Sequence, residues 1–383
     1  MKLPEEIQAP PAKQAPTLNT LYFYLTEGCN LACRHCWLSP RFDADGSRYP
    51  TLSVASFETV IRQAKPLGLR SVKLTGGEPL MHPHFTRLLE IVRREELRLS
   101  IETNGLLCTP EIAAEIAKSP KRFVSVSIDG ADAATHEWVR GVPGSFEAAR
   151  QAVRHLVAAG IQSQVIFSVM RRNAGQVEDM VRMVEDLGAS SLKFNVVQPS
   201  ARGKNLHESQ ETLTIRELIA LGRHVLDDLA PQTKLILISH PPDAFQPLHR
   251  IAAGCDVCGI FGILGVIASG HYALCGIGTL VPELVFGEVG KDPLETVWHE
   301  NAILAGLREG LPKRLEGVCS RCLQKQNCRG KCVAQNYYRT GSLWGANWFC
   351  EQAEEAGLFP ASRLIAGPVS SNGALLEHDA ENS

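Results

Sequence analysis

The stretch that decides the fold is Cys29-Asn30-Leu31-Ala32-Cys33-Arg34-His35-Cys36, which follows directly on the apolar run 21–26. Three thiols in eight residues, spaced C-x3-C-x2-C, can converge on one soft metal centre. A tetrahedral zinc site wants a fourth protein ligand nearby, which here means His35 or a distant cysteine. An iron–sulfur cubane held by only three cysteines leaves one iron open to a small-molecule ligand. Spacing alone admits both readings.

Working outward, the chain has 383 residues, 12 of them cysteines, and 39 Lys+Arg against 41 Asp+Glu for a net charge of −2. Length over roughly 150 suggests two or three domains with ample chain for a core. A composition 44% hydrophobic and 21% charged excludes disorder and rod-like folds. Charge near neutrality gives no footprint for nucleic acid. The longest apolar stretch, 260–268, is about half the ~20 residues a spanning helix needs, and residues 1–20 hold no signal-peptide core. No nucleic-acid or membrane partner is expected, and a cytoplasmic location is. In a reducing compartment, 12 thiols point to metal rather than disulfides.

Short apolar runs at 21–26, 71–75, 98–102, 123–128, 163–170 and 191–197 predict strands, and helix-period segments at 54–65, 85–94, 110–118, 145–159, 175–186 and 215–229 predict helices. Such βα alternation makes either an open doubly wound sheet or an incomplete (β/α) barrel, with the chemistry at the strand C-termini in both. Near Pro231 the texture changes: glycine, proline and eight of the cysteines crowd into short segments, as where metal ligation replaces burial. The expected division is a flexible lead at 1–19, a barrel at 20–235, a cysteine-rich domain at 236–369 and a flexible tail at 370–383.

C-x3-C-x2-C after the first strand, with His35 just before its last cysteine, resembles the signature of the radical S-adenosylmethionine (radical SAM) superfamily. Gly76-Gly77-Glu78-Pro79, after the second strand, resembles that family's GGEP motif, which holds the amino end of SAM's methionine moiety. Glu102 and Asn104 end the third strand, and Ser127-Ile128-Asp129-Gly130 the fourth, followed by His136, Arg140 and Gly144-Ser145-Phe146. This run resembles the SIDG…H…R…GSF pattern of one branch. The resemblance implies His35, Glu102, Asn104, Ser127, Asp129 and Arg140 as further residues around the cofactor, with Ser127 and Arg140 toward SAM's ribose and carboxylate. It also implies the chemistry: the open iron chelates SAM, an electron enters the sulfonium, and the resulting 5′-deoxyadenosyl radical abstracts a substrate hydrogen.

The later cysteines run Cys255, Cys258, Cys275, then C-x2-C-x5-C-x3-C from Cys319 through Cys322 and Cys328 to Cys332, then Cys350. This resembles the SPASM module appended to radical SAM enzymes that modify peptides and proteins. Carried over, Cys255, Cys258, Cys275 and Cys332 would hold one auxiliary [4Fe–4S] cluster, and Cys319, Cys322, Cys328 and Cys350 another. A pair of zinc sites is the competing account of two C-x2-C pairs. Cys108 is left over, either a small buried hydrophobe or a thiol donating a hydrogen atom to a substrate radical. His82 and His84, a H-x-H that could bind metal, are expected as surface loop histidines, and Trp344, Trp348 and Phe349 as a water shield beside Cys350.

The resemblance covers about residues 20–355 and implies an α/β fold: a partial (β/α)6 TIM-like barrel followed by a SPASM domain, three [4Fe–4S] clusters and SAM. The expected function is hydrogen abstraction from a peptide or protein, giving a thioether, a carbon–carbon link, an epimer or an oxidised residue. Two alternatives are the same chemistry on a small molecule such as a tetrapyrrole precursor, and a non-catalytic iron–sulfur or zinc protein. The segment before Cys29 is short for a precursor-recognition domain, so a peptide would be captured by the barrel or a separate recognition protein. Low-potential electrons would come from a flavodoxin or ferredoxin.

Overall fold

The computed structural model describes residues 15–42, 49–252 and 258–365. Cys255, the first fourteen residues of the lead and the tail at 370–383 lie outside them. All six expected strands form within two residues of their predicted ends: β1 (Thr20–Tyr24), β2 (Ser71–Thr75), β3 (Arg98–Thr103), β4 (Arg122–Ser127), β5 (Ser163–Val169) and β6 (Ser191–Val196). Four further strands come from the region expected as the cysteine-rich domain: β7 (Ile236–Ser239), β8 (Ile263–Val266), β9 (His271–Ala273) and β10 (Val285–Glu288).

One ten-stranded sheet runs β10-β9-β8-β1-β2-β3-β4-β5-β6-β7. Every pairing from β8 across to β7 is parallel, and β9 and β10 add an antiparallel edge. The edges β10 and β7 do not pair, so the sheet is open, a partial barrel as expected. Residues on both sides of position 235 share it, because β7 extends β6 and β8 extends β1 in the other direction.

The expected helices are α1 (Val54–Ala64), α2 (Phe85–Arg94), α3 (Pro110–Ala117), then α5 (Ser145–Ala158), α6 (Val177–Asp186) and, after α7 (Arg202–Glu208), α8 (Ile215–Arg223), which continues as a wider π turn over His224–Leu229. An unexpected α4 (Ala133–Arg140) is set by local chemistry: Asp132 accepts from the Thr135 N–H at its start, and Gly141 closes it at φ 78.

Strand alternation explains where the core sits. Leu21, Phe23, Val72, Leu74, Leu99, Ile101, Val124 and Val126 are fully buried toward the helices, Phe23 meeting Phe57 of α1 with ring centroids 4.3 Å apart. The alternate residues are polar and bond across the sheet: Lys73 to Glu102 at 2.5 Å, Ser125 to Gln164 at 3.2 Å, Gln164 to Ser191 at 3.2 Å. A parallel sheet packed by helices on both faces would read as continuous apolar runs. Here one face belongs to a polar lumen.

Candidate active site

The loop after β1 turns back on itself through a two-residue pairing of Gly28–Cys29 with Arg41–Phe42. Its three cysteines line one cavity of about 560 Å³ at the C-terminal ends of the strands, Cys29 and Cys33 buried and Cys36 half-exposed. The Asn104 side-chain amide donates toward Cys29 Sγ at 3.8 Å and to Asn30 Oδ1 at 2.7 Å. Arg140 donates to Cys33 Sγ at 3.5 Å. Behind it, Arg140 pairs with the fully buried Asp129 at 2.7 Å, and Asp129 also accepts from the Ser168 N–H at 2.7 Å and faces His35 Nε2 at 3.5 Å.

Burial pushes the Cys29 and Cys33 thiols up, with the Arg140 charge opposing it at Cys33. Burial also lowers His35 to about 4, so its ring is neutral. Without a metal these thiols stay protonated, and binding one supplies the thiolate.

The end of β2 is pressed onto this loop. The Gly77 N–H donates to Thr26 O at 2.9 Å, the Glu78 N–H donates to Gly28 O at 3.1 Å, and Gly76 sits at φ +131. A Cβ on Gly77 would lie 1.8 Å from the Gly28 carbonyl oxygen. The Glu78 carboxylate accepts from the Thr103 hydroxyl at 2.5 Å, the Asn104 N–H at 2.8 Å and the Leu80 N–H at 3.1 Å. Burial raises it to about 7 against those three donors. Its hydrogen bonds within the chain therefore tie the GGEP turn to the end of β3.

Of the sequence-predicted site residues, Cys29, Cys33, His35, Cys36, Gly76, Gly77, Glu78, Glu102, Asn104, Ser127 and Arg140 line the cavity. Asp129 stands behind the wall, and Pro79, itself buried, opens the turn Pro79–Met81. Cys108 packs into the main apolar core, off the cavity wall, with burial pushing its thiol up to about 12. A hydrogen donor to a bound substrate would have to face the cavity, so the placement corresponds to a small buried hydrophobe. His82, expected at the surface, is instead buried, because its Nε2 lies 2.7 Å from Leu52 O and its Nδ1 accepts from the His84 N–H at 3.2 Å, so it serves the turn. Trp348 and Phe349 line the main cavity, whereas Trp344 packs over Gly310.

One cavity residue, Lys193, is unnamed in the sequence reading, and a second, Arg202, enters it only within the loop 198–203, expected at the barrel mouth either to touch SAM or substrate or to be a plain loop. Lys193 points from β6 into the lumen, legible only as a charge at an inward strand position. Arg202, at the start of α7, clasps the cysteine loop: its guanidinium donates to Cys33 O at 3.3 Å, Ser39 Oγ at 3.1 Å and Pro40 O.

The cysteine-rich segment folds as short pieces: α9 (Leu248–Ala252), α10 (Leu294–Glu300), α11 (Ala302–Gly310), α12 (Gly317–Arg321), α13 (Lys325–Cys328), α14 (Val333–Thr340) and α15 (Trp348–Glu355). It divides its cysteines in space. Cys258, Cys275 and Cys332 line the same cavity as the β1 loop, while Cys319, Cys322, Cys328 and Cys350 rim a second, small one. Among the described residues, no three His, Cys, Asp or Glu side chains converge tightly enough for a single metal ion. Each set rims a space instead. The three-thiol set, with the Gly77 cradle and sulfur-directed donors beside a space in the usual ligand-pocket range, fits an iron–sulfur cluster with one open iron and a neighbouring small molecule.

A fold with this loop at the mouth of a partial barrel defines an enzyme class built around an iron–sulfur centre and SAM. Residues 23–184 match the model of the radical SAM superfamily. The chain is 30% identical to mycofactocin maturase MftC of Mycobacterium ulcerans over 91% of its length and 92% of that protein's. It is 27% identical to the AdoMet-dependent heme synthase of Nitratidesulfovibrio vulgaris over 88% and 93%. Streptococcus suis SuiB, solved with its precursor peptide SuiA, shares the fold with a TM-score of 0.69 at 18% identity, over 88% of this chain and 76% of that one. The chain belongs to the radical SAM superfamily, in its SPASM-type class. Its family cofactors are a [4Fe–4S] cluster and SAM. Among the described residues, no helix is long and apolar enough to cross a membrane.

Proposed function

We propose that this enzyme cleaves SAM reductively and abstracts a hydrogen atom from a peptide or protein, with Cys29, Cys33 and Cys36 holding the SAM-binding cluster and the C-terminal cysteines two auxiliary [4Fe–4S] clusters. The observation that carries it is the shared cavity: the β1-loop cysteines and Cys258, Cys275 and Cys332 face one space of about 560 Å³. A substrate there would lie between the radical source and an auxiliary site. When bound, the cluster and SAM supply a 5′-deoxyadenosyl radical by one-electron cleavage of the sulfonium bond.

The chain's own residues orient and enclose. Gly76 and Gly77 would let backbone approach the methionine end, Ser127 would serve the ribose, and Arg140, anchored on Asp129 and donating to Cys33, would present charge to a carboxylate. Trp37, Leu38, Phe194 and Phe349 supply apolar wall that keeps water from a reactive radical. We assign 20–235 to the barrel and 236–369 to the SPASM domain as divisions of the sequence, with β7 to β10 of the latter completing the barrel's sheet, a flavodoxin or ferredoxin as reductant and, for a peptide, a separate recognition protein where needed.

The small-molecule reading is favoured by the similarity to a heme synthase across most of the chain. The two separate in one assay. Reconstituted, reduced protein with SAM is expected to form 5′-deoxyadenosine faster, and to shift peptide mass, when given peptides encoded by short neighbouring reading frames. Stimulation by tetrapyrrole precursors alone would overturn the peptide reading.

A further inference from the structure

The link Cys328-Arg329-Gly330-Lys331-Cys332 joins the two auxiliary cysteine sets: Cys328 rims the small cavity and Cys332 the large one. Its three central residues are all left-handed, Arg329 at φ 50, Gly330 at 77 and Lys331 at 65. Only glycine adopts this without steric cost, so two side-chain-bearing residues there mark a conformation held for a purpose. The turn is pinned by the Lys331 N–H to Cys328 O at 2.8 Å, the Cys332 N–H to Gly330 O at 2.8 Å and Asn336 Nδ2 to Gly330 O at 2.8 Å. Arg329 is turned outward onto the Phe261 ring, 4.8 Å from its centroid.

Lys331 is turned the other way. Its side chain lines the large cavity, and its ammonium nitrogen is buried with no hydrogen-bond partner among the described residues. A buried cation without a partner is costly, and such sites are compensated by anionic groups. Cys258, Cys275 and Cys332 line that cavity with it, and Cys328 lies three residues before it, its carbonyl accepting from the Lys331 N–H. Burial pushes Cys258 and Cys328 up to about 12 and raises Cys332, and the Lys331 charge acts the other way at all three.

We propose that Lys331 is the positioning charge of the auxiliary sites, raising the reduction potential of the clusters held by Cys258, Cys275 and Cys332 on one side and by the Cys328 set on the other. The inference rests on the reading that these cysteines hold clusters. A fixed cation favours the more negative, reduced state of a neighbouring cluster. The couple is one-electron: an oxidised cluster takes one electron from the reductant and no bond is made or broken.

The test uses the full chain with Cys29, Cys33 and Cys36 replaced by alanine, so that only auxiliary iron, about 8 per chain, remains after anaerobic reconstitution. Its potential is read by electron paramagnetic resonance during titration with dithionite. Lys331→Gln keeps an unbranched polar side chain, one atom shorter, and the backbone demand, and removes the charge. It is expected to retain the iron and to move the auxiliary midpoint negative by about 59 mV or more, a tenfold change in the reduction equilibrium, while Lys331→Arg restores the parent value. An unchanged midpoint in Lys331→Gln, an equal shift in Lys331→Arg, or loss of iron in Lys331→Gln would each overturn the proposal. A parent without auxiliary iron would instead overturn the cluster assignment, and this inference with it.

Discussion

Cys33→Ala is expected to abolish reductive cleavage of SAM, lowering 5′-deoxyadenosine formation by about a millionfold or more, the lower end of enzymatic rate acceleration. Three protein ligands on four irons leave one iron open and none to spare, since losing one exposes a second iron. The loss is also local. Cys33 lies under the Arg140 guanidinium at 3.5 Å, and Arg140 keeps its 2.7 Å pair with Asp129 when the sulfur is gone. The fold should therefore survive and the auxiliary iron remain. Cys108→Ala supplies the contrast: its thiol lies in the apolar core away from the cavity, so the variant is expected to keep cleaving SAM and to form the same product. Product quantified by chromatography from both variants checks the pair. Cleavage by Cys33→Ala would contradict the ligand assignment, and a product change in Cys108→Ala would return that thiol to the chemistry.

Gly77→Ala carries the second large effect. The new methyl would meet the Gly28 carbonyl at 1.8 Å from its oxygen and 2.5 Å from its carbon. Both are backbone atoms in the strand that leads into Cys29, so no side chain can rotate away. Either β2's end or the cysteine loop must move, at a cost of about 3 kcal/mol, the upper end of ordinary overpacking. Spent on the geometry around the cofactor, that is about a hundredfold weaker SAM binding by the reconstituted protein, measurable by calorimetry. Gly175→Ala, with nothing within 4 Å of the added Cβ, is the matched change expected to leave binding unaltered. Parent-like affinity in Gly77→Ala would mean that this close approach does not shape the cofactor site.

The local patterns were legible where periodicity and capping agree. Strands β1 to β6 and helices such as α3, with Thr109 capping and Pro110 at its first turn, stand where the sequence puts them. The same strands also carried an unused signal. Lys73 and Lys193 sit between apolar neighbours, and Glu102 and Gln164 sit beside Ile101 and Val165 in β3 and β5; such alternation distinguishes a polar barrel lumen from a doubly wound sheet. Strand β8 was hidden because a short apolar run such as 260–268 has no periodicity of its own, and its partner β1 is more than two hundred residues away. The resemblance carried by the cysteine spacings implied the two C-terminal sets, and three dimensions added that Cys258, Cys275 and Cys332 share a cavity with the β1 loop. Arg202 could not be read as a clasp. Its role comes from folding the start of α7 over the backbone carbonyls of residues 33 and 40, a contact with no sequence signature.

The central claim is that the cysteines divide into a SAM-binding set of three and two auxiliary sets. Iron and sulfide content of the anaerobically reconstituted chain measures it most directly. The account predicts about 12 irons per chain, falling to about 8 when Cys29, Cys33 and Cys36 are replaced together by alanine; about 4 irons in the parent, or zinc in their place, would contradict it.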